Sequence, residues 1–337
     1  MIMKEIPKVR YAVIGGSGTW AGEYPENTGI EGIRILQRDM EFETPFGTTV
    51  PMKLFELDGS LTADGQPRQV LTVPFHGFHG LAPWNTPSEQ VFWVFQQAGV
   101  EYIVAEGSAG GINPLLDPGD VVVPHDFIDM TKRPSNIHHF TNNIPRMNDP
   151  LCPDLRNLLV QAAREVYAGQ NNRIFSRGVY GNTEPPRFET PSEVRMLRTM
   201  GADLTAHTIA VEAYLSRAIG ACYAGAYIVS NFAEGVVDTS WQGESIFDCY
   251  RDCADKFGRI TVKAIAAIDP SKKHCHCQEN MIVVPSTGRL STALPIPADT
   301  PAKNLQIFHS RILFFIKFPI KPGSVQLTKP LEWRYFP

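Results

Sequence analysis

Three glycines and a serine follow the first apolar run of the chain, and together they could bind an anion. Gly15, Gly16, Ser17 and Gly18 come directly after residues 9–14. A strand that ends in glycines lets the backbone turn tightly and point its amides, with one hydroxyl, at an anion such as phosphate. The alternative is a tight turn without a ligand. The spacing matches neither the dinucleotide fingerprint nor a P-loop, because no third glycine and no Gly-Lys-Ser/Thr follow.

Further polar side chains lie beside regular segments in the middle of the chain. Residues 106–113 follow an apolar run and combine acidic, hydroxyl and amide side chains with glycines. Residues 184–190 precede a helical pattern, residues 207–212 contain histidine, threonine and glutamate, and residues 230–231 end another apolar run. Side chains of these types donate and accept hydrogen bonds, which makes them candidates for binding a polar ligand.

The segments that position these groups alternate between strands and helices. Apolar, β-branched runs predict strands at 9–14, 70–74, 102–105, 120–124 and 222–229. Helical periodicity is found at 89–98, 152–167, 192–200, 208–219 and 245–268. The alternation predicts an α/β fold. Since neither an internal repeat nor a linker interrupts the chain before about residue 270, we expect one domain over residues 1–270.

Composition excludes several classes of protein. The chain has 337 residues, 43% of them hydrophobic and 20% charged, with a net charge of -4. This balance is typical of globular proteins and gives no basic surface for nucleic acid. The N-terminus lacks the apolar region of a signal peptide, and the late apolar run at 312–316 is too short to span a membrane. We therefore expect a cytoplasmic protein that binds neither nucleic acid nor membranes.

Four of the six cysteines lie in or beside regular segments. Cys152, Cys222, Cys249 and Cys253 are spread thinly along the chain, which favours reduced thiols in the core or on helices over a disulfide framework.

The chain changes in character after residue 270. Cys275 and Cys277, with a histidine before each, could ligate a metal, but a structural zinc site needs a second pair, and His309 is the sole further candidate downstream. The many prolines that follow interrupt both helices and sheets. The sequence therefore predicts no metal site and a Pro-rich, poorly ordered extension over 271–337. Truncation after Pro270 is expected to change turnover by a small factor at most.

From about residue 11 to about residue 270 the chain resembles the purine nucleoside phosphorylase and methylthioadenosine phosphorylase family. Each matching piece is short, but the pieces occur in the family's order along the chain. They are residues 15–18, 44–47, 108–113, 118–120, 127–129, 133–134, 149–150, 152–153, 187–189 and 201–203.

This resemblance implies a fold and a reaction. The fold is a three-layer α/β sandwich with a mixed, partly closed central sheet. The reaction is the reversible cleavage of a purine N-glycosidic bond by phosphate, which is a pentosyl transfer of purine salvage. It needs no cofactor besides phosphate as co-substrate. Because the sugar approaches an oxocarbenium ion, the protein must stabilise electrons that flow into the purine and hold an anion beneath the sugar.

The resemblance assigns the base site to Glu189 and Asn231. Asn231 would pair with N7 and the 6-substituent, and Glu189 would accept from the N1 proton or an exocyclic amine. Relatives that prefer 6-aminopurines have an aspartate at the position of Asn231, so the resemblance implies a 6-oxopurine substrate. Phe188 would stack on the purine, and Ala109 and Gly110 would contact the substrate. The alternatives are a turn role for Asn231 and a core role for Phe188.

The phosphate positions of the family fall on Ser17, His76, Ser108 and Thr208. His76 is also a candidate catalytic residue. Relatives carry an arginine next to this histidine, where this chain has Phe75. An arginine forms a charged, bidentate clamp that neutral hydroxyls do not replace. The sequence therefore predicts weak phosphate binding that improves at lower pH.

Three functions remain open at this point: a phosphorylase, a nucleosidase in which water replaces phosphate, and a purine-binding relative without catalysis.

His79 or Arg68 could supply the positive charge that the absent arginine would provide. His207 lies where relatives have a methionine against the ribose, and Glu212 matches a glutamate near that wall. The resemblance also implies a homotrimer in which residues 138–140 complete a neighbouring site.

Overall fold

The computed structural model describes residues 2–3, 5–16, 22–76, 85–237 and 244–284. They belong to one compact unit that ends at Val284. Ser17 and His79, two of the predicted phosphate-site residues, lie outside the described residues, as do residues 285–337.

The strands use the apolar and β-branched runs of the sequence. They are β1 (Ile2–Met3), β2 (Tyr11–Ile14), β3 (Ile33–Thr44), β4 (Gly47–Thr48), β5 (Met52–Leu57), β6 (Arg68–Val73), β7 (Tyr102–Gly111), β8 (Val121–Val122), β9 (Asp126–Asp129), β10 (Ile144–Pro145), β11 (Ile174–Phe175), β12 (Val179–Asn182), β13 (Leu204–Ala206), β14 (Cys222–Phe232) and β15 (Met281–Ile282).

The helices match the predicted periodic segments to within two residues at each end. They are α1 (Ser88–Ala98), α2 (Pro153–Val166), α3 (Pro191–Thr199), α4 (Ile209–Ala218) and α5 (Glu244–Ala267). None of the helices among the described residues is long and apolar enough to cross a membrane.

The central sheet is mixed, as predicted. Its main path runs β1-β3-β5-β6-β2-β7-β13-β12-β9, and β14 pairs with β7 and with β8. β2 is parallel to both β6 and β7, and β14 is parallel to β7. In contrast, β5 is antiparallel to β6, and β13 is antiparallel to β7. The sheet divides at β7, because β13 and β14 both pair with its last residues.

Helices cover both faces of this sheet. Alternate residues of a strand point to opposite faces, and β2 follows this rule: Ala12 and Ile14 belong to one apolar cluster, whereas Tyr11 and Val13 belong to the other. The first cluster includes buried residues of α1 and α4, and the second includes those of α2 and α5. The three-layer sandwich that the resemblance implies is therefore confirmed.

The first unit extends beyond the boundary expected near residue 270. After a 3₁₀ turn at Pro270–Lys272, β15 pairs antiparallel with β10. Cys275 and Cys277 belong to the apolar cluster against α2 and α5, with exposures of 8% and 2%. The expected boundary lies too early in the chain, because β15 pairs with β10 and two cysteines of residues 271–284 are buried against the core. Truncation after Pro270 would expose core surface, so the expectation that it is harmless is revised.

Candidate active site

The parallel strands bring the glycine loop beside the end of β6. The backbone N–H of Gly15 donates to Val73 O at 2.9 Å, and the N–H of His76 donates to Gly15 O at 3.2 Å. The N–H of Gly16 donates to the carboxylate of Glu106 on β7. A Cβ atom at Gly16 would overlap the Glu106 carbonyl oxygen, so this close approach of two strand ends requires glycine.

Gly110 of β7 lies between β14, which carries Asn231, and β13, whose Thr205 binds Glu189. In the sheet register it is opposite Thr205 of β13 and also opposite Asn231 of β14. The β14 register shifts between Val229 and Asn231, and such irregularities re-aim side chains near functional sites. Because the sheet divides at β7, Asn231 lies on one side of Gly110 and Thr205 lies on the other.

Glu189 is buried, with an exposure of 6%, and two threonines bind one of its oxygens. Thr205 Oγ1 donates to Glu189 Oε1 at 2.9 Å, and the Thr183 hydroxyl donates to the same oxygen. Oε2 has no hydrogen-bond partner among the described residues. Glu189 directly precedes Thr190, which begins α3 with a capping box shared with Glu193. The helix start and the threonines together fix the carboxylate.

His207 joins the same network. Its Nδ1 lies 3.1 Å from Thr183 Oγ1 and 3.3 Å from the Thr183 carbonyl oxygen. Burial lowers the pKa of the His207 imidazole below its ordinary value of 6.5, although the charge of Glu189 acts in the opposite direction. Arg133 donates to His207 O at 2.8 Å. His207, which replaces the relatives' methionine, is thus a neutral imidazole at neutral pH. The hydroxyl of Thr183 connects it to Glu189.

The amide of Asn231 is oriented by its neighbours. Ser230 Oγ donates to Asn231 Oδ1 at 2.8 Å, and Asn231 Nδ2 donates to Phe232 O at 2.8 Å. One hydrogen of the Nδ2 group is used in this way, and the second has no partner among the described residues and can be donated to a ligand.

His76 and Glu212 form a largely buried pair. His76 Nε2 donates to Glu212 Oε1, and Tyr223 OH donates to Glu212 Oε2 at 2.7 Å. Glu212 has a side-chain exposure of 2% and His76 of 11%. His76 Nδ1 is buried and has no hydrogen-bond partner among the described residues. The carboxylate holds Nε2 as the protonated nitrogen, so Nδ1 is the atom that a ligand can engage.

Thr208 and Ser108 have different surroundings. Thr208 lies at the N-cap position of α4, one turn before Glu212, and its hydroxyl is 3.4 Å from Tyr180 OH. Ser108 Oγ donates to Tyr250 OH of α5 at 3.0 Å. Thr208 therefore lies one helical turn from Glu212, whereas Ser108 contacts a helix on the opposite face of the sheet.

Phe75, at the position of the relatives' arginine, and Arg68, a candidate to replace its charge, both have structural roles. Phe75 is 1% exposed and belongs to the apolar cluster of α1 and α4. Arg68 is 2% exposed and donates to Ile265 O and Ile268 O at the end of α5, where a cation stabilises a helix C-terminus. Arg68 is therefore committed to the fold and does not replace the missing arginine.

Phe188, predicted to stack on the purine, is exposed, and so are His138 and His139, which were predicted to lie near a neighbouring subunit's site. Phe188 is 49% exposed, which argues against the core role considered for it. Residues 137–139 form a 3₁₀ turn in which the His139 ring stacks on Phe46 at 5.1 Å and binds the Glu89 carboxylate. Phe140 packs against the first apolar cluster.

A cavity of about 700 Å³ lies next to Asn231. Its described lining comes from the end of β14 with the following loop, from α5, and from residues before β8 and after α2. The charged side chains among them are Glu234, Asp248, Asp252 and Lys256. The volume is within the range of ligand pockets. Asn231 is the predicted site residue in this described lining.

Several residues of the site were missed at the level of sequence. Thr183, Thr205, Ser230 and Tyr223 position Glu189, Asn231 and Glu212. Threonine, serine and tyrosine at strand positions carry no signal of their own. Ser230 and Tyr223 lie beside or on the predicted strand at 222–229, whereas Thr183 follows β12 and Thr205 belongs to β13, two short strands that were not predicted.

A family model described as the phosphorylase superfamily matches residues 10–266. The probable 6-oxopurine nucleoside phosphorylase of Korarchaeum cryptofilum is 33% identical over 288 residues, which cover 80% of this chain and 97% of that protein. The probable S-methyl-5'-thioinosine phosphorylase of Methanothermobacter thermautotrophicus is 30% identical over 269 residues, which cover 79% of this chain and 86% of that protein.

A solved structure has the same fold. The methylthioadenosine phosphorylase sourced from an antarctic soil metagenomic library superposes with a TM-score of 0.69, at 24% identity, and covers 84% of this chain and 94% of that one. Together with the family model and the two relatives, this likeness leads to one assignment. The chain belongs to the nucleoside phosphorylase family of the phosphorylase superfamily.

Proposed function

We propose that the chain is a purine nucleoside phosphorylase, which cleaves the N-glycosidic bond of a 6-oxopurine nucleoside or its 5'-methylthio analogue with phosphate. The observation that carries this proposal is the buried Glu189, whose Oε1 accepts from Thr183 and Thr205 and whose Oε2 has no partner among the described residues. A carboxylate held in this way offers an acceptor to a ring N–H. In a 6-oxopurine N1 carries such a proton.

Asn231 complements this acceptor in the proposal. Its remaining Nδ2 hydrogen would donate to N7 of the purine, where negative charge develops as the glycosidic bond breaks. Phe188 would lie against the base, and the backbone at Ala109 and Gly110 would contact the substrate. The relatives from Korarchaeum and Methanothermobacter are named for 6-oxopurine and thioinosine substrates, which supports an oxo group at position 6.

His76 is the proposed centre of the phosphate site. Its Nδ1 is buried without a partner in the part of the chain that the structure describes, and in the protonated imidazole this atom would donate to a phosphate oxygen. Ser17, Ser108 and Thr208 would add hydroxyl donors. Glu212 would balance the charge of a protonated His76, so we expect weaker phosphate binding than an arginine would provide. Phosphate is the co-substrate, and the reaction needs no other cofactor.

The proposal includes a homotrimer in the cytoplasm. Residues 138–140 would lie near a neighbouring subunit's site. Light scattering on the purified chain tests this, because a monomer with full activity would contradict it.

A nucleosidase is the second candidate, and the buried Phe75 favours it. Without a bidentate cation, the unprotonated Nδ1 of His76 could accept a proton from water instead of binding phosphate. A purine-binding relative without catalysis is the remaining outcome.

One assay separates these functions. Release of hypoxanthine from inosine and from 5'-methylthioinosine is measured with and without phosphate, and the sugar product is identified. Turnover that requires phosphate and yields a sugar 1-phosphate supports the proposal. Equal turnover without phosphate, with free sugar as product, supports the nucleosidase. Binding of inosine without turnover supports the binding protein.

A further inference from the structure

Four cysteine sulfur atoms meet at one point outside the candidate active site. The Sγ atoms of Cys152, Cys222, Cys275 and Cys277 all lie within 4.8 Å of one another. Those of Cys222 and Cys275 are 3.4 Å apart. The first two residues are 1% and 0% exposed, and the last two 8% and 2%. This four-cysteine cluster is therefore buried and consists of one type of ligand atom.

Hydrogen bonds of the backbone hold the three segments that supply the cluster. The N–H of Cys152, directly before α2, donates at 2.8 Å to the carbonyl oxygen of Tyr223 on β14. The carboxylate of Asp154 in the first turn of α2 accepts from the N–H groups of His274 and Cys275, each at 2.8 Å. The first contact places Cys152 next to Cys222, the first residue of β14. The contacts of Asp154 bring the loop that contains Cys275 and Cys277 to both of them.

The size and chemistry of the four-cysteine cluster fit a tetrahedral metal ion. Zinc binds thiolates at about 2.3 Å, which places the sulfur atoms of a regular tetrahedron about 3.8 Å apart. The observed separations, 3.4 Å for one pair and at most 4.8 Å for the rest, bracket this value. Four sulfur donors without a carboxylate select a soft ion over magnesium or calcium. Cys152 also precedes a 14-residue helix, whose N-terminus favours a thiolate.

We propose that Cys152, Cys222, Cys275 and Cys277 bind one structural zinc ion. Each thiol releases its proton on binding, so four protons leave for each zinc ion bound. No second cysteine pair lies downstream of the Cys-x-Cys motif in the sequence, whereas the fold supplies one from upstream, as Cys152 and Cys222. The ion would fasten residues 270–284, whose regular structure amounts to a 3₁₀ turn and the two-residue strand β15.

The test uses the full chain, purified without chelators. Metal content is measured by elemental mass spectrometry for the wild type, for Cys277→Ser and for Cys249→Ser. Cys249 is the matched control, because this half-buried cysteine of α5 lies outside the cluster. We expect about one zinc per chain in the wild type and the control, and about a tenth of that in Cys277→Ser. The midpoint of thermal unfolding should fall by about 5 °C or more when zinc is removed.

Thiol counting keeps the test decisive if Cys277→Ser fails to fold. The wild type is denatured with a chelator but without reductant, and free thiols are titrated. Six free thiols together with one released zinc support the site. Four fewer thiols and no zinc would mean two disulfides and overturn it. Six thiols without a metal, both as purified and after incubation with zinc, would also overturn it, and iron in place of zinc would overturn the choice of ion.

Discussion

The substitution Glu189→Gln tests the geometry of the base site most directly. Thr183 and Thr205 both donate to Glu189 Oε1. In the variant these hydroxyls select the carbonyl oxygen of the glutamine for the Oε1 position. The amide nitrogen therefore takes the place of Oε2. The variant would present a donor where the wild type presents an acceptor, with little change in shape.

The magnitude follows from this exchange. A hydrogen bond to a charged group contributes about 1.5 to 3 kcal/mol, and two donors that face each other leave both unpaired. For inosine, with a proton on N1, we expect a loss of about 2 to 3 kcal/mol, or about 30- to 150-fold in kcat/KM. Adenosine has a lone pair on N1, which the amide can satisfy. Its kcat/KM should stay level or rise, so the inosine-to-adenosine ratio falls about 100-fold.

The assay is phosphorolysis of inosine and adenosine at saturating phosphate. Glu56→Gln is the matched control, because this carboxylate of β5 pairs with Arg34 of β3 and the same chemical change is made there. An inosine kcat/KM within about threefold of wild type, with an unchanged ratio, would refute the placement of Glu189 against N1.

Three further results are expected. Asn231→Asp should shift selectivity toward 6-aminopurines, and Asn231→Ala should lower kcat for inosine more than it raises KM, because the bond to N7 strengthens as the base departs; unchanged kinetics on inosine would contradict this. Glu212→Gln replaces a charge-assisted bond to His76 with a neutral one, so KM for phosphate should rise about fivefold, measured against inosine turnover. Burial lowers the pKa of His207, so the unfolded chain binds this proton first and folding stability falls as the pH drops below about 6.5. His207→Gln should therefore lose less stability between pH 7.5 and 5.5 than the wild type in thermal unfolding, and an equal loss would show that another group is responsible.

The periodicity of the sequence determined most of the architecture. Helices α1 to α5 and the buried strands β2, β6 and β14 were predicted because apolar spacing is a local property of the chain. The continuation of β7 to Gly111 was missed, since glycines weaken strand signals and here β14 supplies the pairing. The long β3 was missed as well, because its outward face is polar and partly exposed.

The candidate site was determined in part by the sequence. Glu189, Asn231 and His76 were named from short motifs in the family's order. Their hydrogen-bond partners could not be named from the sequence. Thr205, Ser230 and Tyr223 are ordinary strand residues, and their roles depend on which strands and loops come into contact.

Tertiary structure alone decided the contacts between distant segments. The pairing of His76 with Glu212 joins residues 136 positions apart, and the four-cysteine cluster joins segments more than 100 residues apart. Arg68 looked equally suited to phosphate until its bonds to the end of α5 were known. Local spacing records which face of an element is apolar. It does not record which element that face will meet, and the side chains that meet there define the chemistry.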